Sequence, residues 1–150
     1  MIKTLLFCGL LSLLAVSCKT YTENDLEGFT SDKCSMYPEG TDDEPNLWCD
    51  CCYQHDIAYW RGGTWSERRK ADIKLKTCIQ GKAGFWQGMK VYIGVRLGGF
   101  PFWPTSFRWG YGWPEYRGYR KIKAHEQDYI ETKWEDFINS GTKICPEITN

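Results

Sequence analysis

Histidine is scarce in this chain. The 150 residues carry only two, His55 and His125. Any chemistry that needs an imidazole must pass through one of them. His125 lies among Lys123, Glu126 and Asp128 and is expected to be a solvated helix residue, which leaves His55. Net charge is also missing: 19 acids balance 19 bases. Partners must therefore be read from the distribution of charge rather than its total. Beyond residue 17 no apolar run is long and uncharged enough to span a bilayer, which excludes a helical membrane domain. There are no internal repeats and no low-complexity tail, which excludes a repeat array.

What is present begins with a leader. Met1-Ile2-Lys3 is a short basic segment and Leu5 to Val16 is an apolar stretch too short to span comfortably. Residues 1–17 read as a signal peptide, and Leu14-Ala15-Val16-Ser17-Cys18 resembles a bacterial lipobox, which makes Cys18 a candidate for lipidation. Plain secretion is the alternative, and either places the chain outside the cytoplasm. Residues 18–150 suffice for one domain with a single core. Cys8 leaves with the leader. Cys34, Cys49, Cys51, Cys52, Cys78 and Cys145 then remain, an even six suited to three disulfides in an oxidising compartment.

The charge is unevenly spread. Lys19 to Asp50 carries nine acids and two bases, Arg61 to Lys123 fourteen bases and three acids, and Ala124 onward six acids and two bases. A basic middle between acidic ends suggests an anionic partner surface or pairing between segments. Thr20 to Pro45 reads as loop. A helix is expected from about Pro45–Leu47 to Trp60, ended by Arg61-Gly62-Gly63. Thr64-Trp65-Ser66-Glu67 matches a capping box that starts a second helix. Its inward stripe is Ala71, Asp72, Leu75, Cys78 and Ile79, with Gly81 just beyond, and Arg68, Arg69, Lys70, Lys74 and Lys76 mostly facing out. Phe85 to Leu97 suits a short helix. Phe100 to Tyr119 reads as an aromatic-rich loop or short strands, and Lys121 to Asn139 as a last helix ended by Gly141. The fold class is mainly α.

The chemistry concentrates in Cys51-Cys52-Tyr53-Gln54-His55-Asp56-Ile57-Ala58-Tyr59-Trp60. On a helix, Cys52, His55, Asp56 and Tyr59 fall at i, i+3, i+4 and i+7, one face. The short glycine link makes the first two helices an antiparallel hairpin. Residues that meet across it have nearly constant index totals, and a single register brings Cys51 to Cys78 and His55 to Asp72. Asp72 lies on an apolar stripe, where a carboxylate needs a partner. If His55 gives it one ring proton, the other nitrogen is left as a base. Tyr59 is placed to donate to the same carboxylate. The alternative is a surface aspartate that balances nearby lysines and arginines. Asp56 cannot point with the ring but can hold a cation beside it. The loop Thr30-Ser31-Asp32-Lys33-Cys34-Ser35 adds the Asp32 carboxylate and carbonyls such as that of Lys33, an oxygen set suited to calcium. Cys34 is placed to pin this loop to the first helix through Cys52.

The stretch Cys51 to Tyr59 resembles the active-site helix of the secreted phospholipase A2 family, C-C-x-x-H-D-x-x-Y. Ser31-Asp32-Lys33-Cys34-Ser35 resembles the calcium loop of its prokaryotic and fungal branch, where S-D-G-C-S is common. Ala71-Asp72 resembles the position of the aspartate that orients the histidine. The resemblance covers about residues 29–80. It implies a disulfide-stapled helix hairpin with a calcium loop, and calcium-dependent hydrolysis of the sn-2 ester of glycerophospholipids. His55 is then the base, Asp72 its orienting group and Tyr59 a support. Asp56, Asp32 and the Lys33 carbonyl hold calcium, and Lys33 departs from the family's glycine. It also implies the pairs Cys34–Cys52 and Cys51–Cys78, which leaves Cys49–Cys145.

Other readings of the same residues remain. Cys49, Cys51, Cys52 and His55 offer zinc ligands, but export and crowding on one turn oppose that. The basic aromatic middle suits single-stranded nucleic acid by stacking. In an exported chain a phospholipid membrane surface is the better partner, and nucleic acid is not expected. Some of those aromatics are expected to be core. The serious rival is a non-catalytic module of the same fold that binds lipid or protein.

Overall fold

The computed structural model describes residues 19–146. The leader 1–17 and the lipidation candidate Cys18 lie outside them. Among the described residues four helices carry the fold: α1 (Cys49–Arg61), α2 (Trp65–Ala83), α3 (Phe85–Gly98) and α4 (Ala124–Asn139), with a 3-10 turn at Glu23–Asp25. No strand occurs among the described residues, and the 100–119 segment is a series of turns. None of these helices is long and apolar enough to cross a membrane.

The local signals explain most boundaries. The Thr64 hydroxyl accepts from the Glu67 amide and the Glu67 carboxylate from the Thr64 amide, so two orphan donors at the start of α2 are satisfied. Gly62 and Gly63 adopt φ +68° and +133° after α1, and a Cβ on Gly62 would come within 2.9 Å of the Gly110 Cα. Three boundaries differ from expectation. α1 starts at Cys49, because residues up to Trp48 are held in tight i+3 turns such as Cys49 N–H to the Asn46 carbonyl. α2 runs through Gly81, since a single glycine inside a helix costs only about 1 kcal/mol; Gly84, at φ +84°, ends it. α4 starts at Ala124, where the Lys123 amide meets the Glu126 carboxylate.

α1 and α2 run antiparallel about the Gly62–Thr64 link. Three disulfides join the described cysteines: Cys34–Cys52, Cys49–Cys145 and Cys51–Cys78. All three pairs are those the resemblance implies. α3 crosses α2 closely at Gly88, where a Cβ would meet the Lys76 carbonyl at 2.6 Å.

Two apolar clusters form the core. One joins Tyr21, Leu26, Phe29, Trp60, Trp113 and Ile130; the other joins Trp48, Leu75, Ile79 and Val91 to the α1 cysteines. Much of the aromatic segment is structural. The last carbonyls of a helix lack internal partners. Trp113 donates to the Arg61 carbonyl (2.9 Å), Trp109 to that of Gly63 (2.9 Å) and the Gly110 amide to that of Tyr59 (2.6 Å). The segment is thus the cap on the C-terminal end of α1.

Charges from the basic middle pair with the acidic ends. Arg117 meets Glu126 through two bonds of 3.0 and 2.8 Å, both residues buried. The same guanidinium lies 4.0 Å from the Trp113 ring centroid and 4.5 Å from that of Tyr21. Burial raises the Glu126 carboxyl pKa, but the Arg117 bonds and charge outweigh it, and the net shift is downward. The charged form is therefore favoured by folding. Its contribution is fully present above the unfolded value near 4.5 and is lost as pH falls through the lower folded value. Thermal melts below pH 4.5 should show a steeper loss of Tm for the unaltered chain than for Glu126→Gln. His125 departs from expectation: it is half-buried against Tyr129, and its Nε2 has no hydrogen-bond partner among the described residues.

Candidate active site

The hairpin register sets the site. Cys51 is bonded to Cys78, His55 faces Asp72, and the Tyr59 hydroxyl accepts from Arg68 Nε at 3.1 Å. Antiparallel helices bring such residues together once one pair is fixed. His55 Nε2 lies 2.9 Å from Asp72 Oδ1, and the Tyr59 hydroxyl donates to the same oxygen at 2.7 Å. Asp72 is fully buried, so the reading of it as a surface group is excluded.

Two arginines complete the surroundings of Asp72, and the sequence reading missed both. Arg96, on α3, donates to Oδ2 at 2.7 Å. Arg68, expected to face out, is 1% exposed and lies 3.7 Å from the same oxygen. It also donates to the Tyr119 hydroxyl and to the carbonyls of Val95 and Arg96. Its position four residues before Asp72 put it on the same helix face, a signal available in the sequence. Arg96 had none. Burial raises the Asp72 pKa, but the bond and charge of His55, then Arg96 and Tyr59, reverse the shift and hold the carboxyl below its ordinary value. Burial, then the Asp72 charge, pushes the Tyr59 phenol up, so it stays protonated and donates.

Asp56 leaves the same helix toward the loop of Asp32 and Lys33. The residue is 8% exposed, and its carboxyl group accepts from the Ser31 hydroxyl at 2.5 Å. The Ser31 oxygen in turn accepts from the Lys33 amide at 3.1 Å, and the Ser35 hydroxyl donates to Asp32 at 2.6 Å. Tyr111, also missed, donates to the Thr30 carbonyl and at 3.3 Å to that of Asp56, which fastens the loop to α1. Lys33 has φ +67°. This is the left-handed region that favours glycine, and Lys33 bears the strain while its ammonium pairs with Glu39 at 2.9 Å. Ser35 and Met36 also have positive φ.

This arrangement bears on a cation. Burial, opposed by the Ser31 bond but aided by the Asp32 charge, pushes the Asp56 carboxyl up to about 8. Near neutral pH Asp56 is therefore largely the uncharged acid, and a cation held between it and Asp32 would displace its proton. Hydroxyl and carbonyl oxygens lie beside them, a hard donor set suited to calcium. The zinc alternative does not fit, because Cys49, Cys51 and Cys52 are all in disulfides. Asp50, Cys51 and Cys78 also have ligand atoms within 4.8 Å of one another, but two of those sulfurs are bonded together and Asp50 pairs with Lys82.

His55, Asp56, Asp32 and Tyr59 line one cavity of about 490 Å³, the size of a small-ligand pocket. Leu75 of α2, and Val91 and Val95 of α3, line it as well and make part of its surface apolar. Gly99 lets α3 end against Tyr59, since a Cβ there would lie 2.5 Å from the ring. The arrangement is an imidazole hydrogen-bonded to a buried carboxylate, in one partly apolar pocket with the oxygen-bearing side chains of Asp56 and Asp32. No family model matches the chain, and neither the curated proteins nor the solved structures yield a match.

Proposed function

We propose that this chain hydrolyses the sn-2 acyl ester of glycerophospholipids with calcium as its cofactor, as the motif resemblance to secreted phospholipase A2 implies. One observation carries the reading: His55, held from behind by buried Asp72, lines the same cavity as Asp56, Asp32 and the apolar Leu75, Val91 and Val95. Asp72 accepts from Nε2 and so fixes the tautomer that leaves Nδ1 as acceptor. A water beside Nδ1 gives its proton to His55 as its oxygen attacks the ester carbonyl carbon. The imidazolium then returns that proton to the departing glycerol oxygen, so fatty acid and lysophospholipid leave and His55 is neutral again. Asp56, Asp32 and the Lys33 carbonyl would hold calcium, which when bound supplies a site for the phosphate and charge stabilisation for the oxyanion. Leu75, Val91 and Val95 keep water from the acyl chain.

A membrane surface is the partner that suits the exterior. Ile93, Leu97, Phe100, Phe102 and Trp103 are each at least 40% exposed, on the outer face of α3 and the turn that follows it. Exposed Trp and Phe of this kind favour the lipid interface. Disulfides accord with export, and Cys18 remains the proposed lipid anchor.

The test is mass-spectrometric detection of free fatty acid and lysolipid from phospholipid vesicles, with calcium and with chelator. Both products should appear with calcium and vanish with chelator. Release that continues under chelation rejects the cation's role. Calcium binding without any release favours the non-catalytic module.

A further inference from the structure

Asp72 has two oxygens, and the reaction as described uses only one. Oδ1 takes His55 and Tyr59, while Oδ2 takes Arg96 at 2.7 Å. Arg96 comes from α3, outside the hairpin, and its side chain is 25% exposed. Its backbone is anchored independently, because Arg68 binds the Val95 and Arg96 carbonyls at 2.9 Å each. A carboxylate held through one oxygen can rotate about its terminal torsion, which is broad and roughly two-fold. A second charge-assisted bond at the other oxygen removes that freedom.

We infer that Arg96 is a positioning residue: its guanidinium holds Asp72 Oδ2 so that Oδ1 stays directed at His55 Nε2. Arg68 is not equivalent. At 3.7 Å from Oδ2 it adds charge but no short bond, and its donors are engaged by Tyr59, Tyr119 and the two carbonyls. The inference rests on the proposed hydrolysis for its catalytic meaning, but the geometry it asserts is measurable without turnover.

The experiment uses Arg96→Met and Arg96→Lys in the full chain, with His125→Gln in the background so that one imidazole is observed. Nitrogen-15 NMR of neutral His55 reports the tautomer. The unaltered chain should show one tautomer, with Nε2 protonated. Arg96→Met should show a mixture and a fall in kcat of up to about 100-fold with KM little changed. Arg96→Lys, which restores a cationic donor, should recover most of both. Arg96→Gln replaces Arg96→Met, with the same mixing expected, if the latter does not fold. A single tautomer and unchanged kcat in the neutral variants overturn the inference, even if Tm falls. If the unaltered chain releases no fatty acid yet loss of Arg96 mixes the tautomers, the hydrolase reading fails and the positioning role stands.

Discussion

His55→Gln is expected to lower phospholipid hydrolysis by about 10²–10⁴-fold, the usual worth of a positioned base, with little change in Tm. The glutamine amide can still donate toward Asp72, so the buried carboxylate keeps a partner, but no group remains to take a proton from water. Asp72→Ala should behave differently. It removes the shared acceptor of His55, Tyr59 and Arg96 and the countercharge of buried Arg68. Breaking a buried pair by deleting one partner costs about 3–5 kcal/mol, so Tm should fall together with activity. Product assays beside thermal melts separate the two. A His55→Gln chain that keeps its activity, or an Asp72→Ala chain that keeps its full Tm, would contradict the site described.

Calcium should stabilise the chain, and the effect of Asp56→Asn should change sign with it. At a free concentration one hundred times its dissociation constant, a ligand bound only to the folded state adds about 2.7 kcal/mol. Without calcium and at about pH 9, above the value near 8 at which it ionises, the Asp56 carboxylate is a buried charge facing another of its own sign. Its neutral isostere removes that penalty and should raise Tm. With calcium, the isostere lacks the ligand charge and should lose the stabilisation. Differential scanning calorimetry of both chains in calcium and in chelator reads the crossover. Parallel curves, shifted alike in both media, would remove Asp56 from the cation site.

Residues close in sequence account for what could be read early. Thr64 and Glu67 form a cap over one turn, and the spacing of Cys52, His55, Asp56 and Tyr59 places them on one face of α1. The short Gly62-Gly63 link makes α1 and α2 a hairpin, and its register then brings His55 to Asp72. Each inference spans one or two local elements, where helix geometry leaves few alternatives. Even the strain at Lys33 had its clue in the glycine that the motif leads one to expect.

Arg96 and Tyr111 had no such clue. They lie 24 and 55 residues from the groups they touch, Asp72 and the Asp56 carbonyl. Arg68 had the clue of its spacing, yet its side chain could be placed only once α3 was known to close over it. The aromatic run from Phe100 to Tyr119 could be recognised by composition, but not divided. Trp109 and Trp113 turn inward because orphan carbonyls at the end of α1 need donors. Phe102 and Trp103 stay about half exposed, although the Trp103 indole still donates to the Leu97 carbonyl near the end of α3 at 3.1 Å. Local geometry was thus written in the chain, including the helices, the hairpin and the histidine with its carboxylate. How the third helix and the aromatic turns close over that pair was settled by packing, which minimises unpaired buried groups over the whole molecule at once.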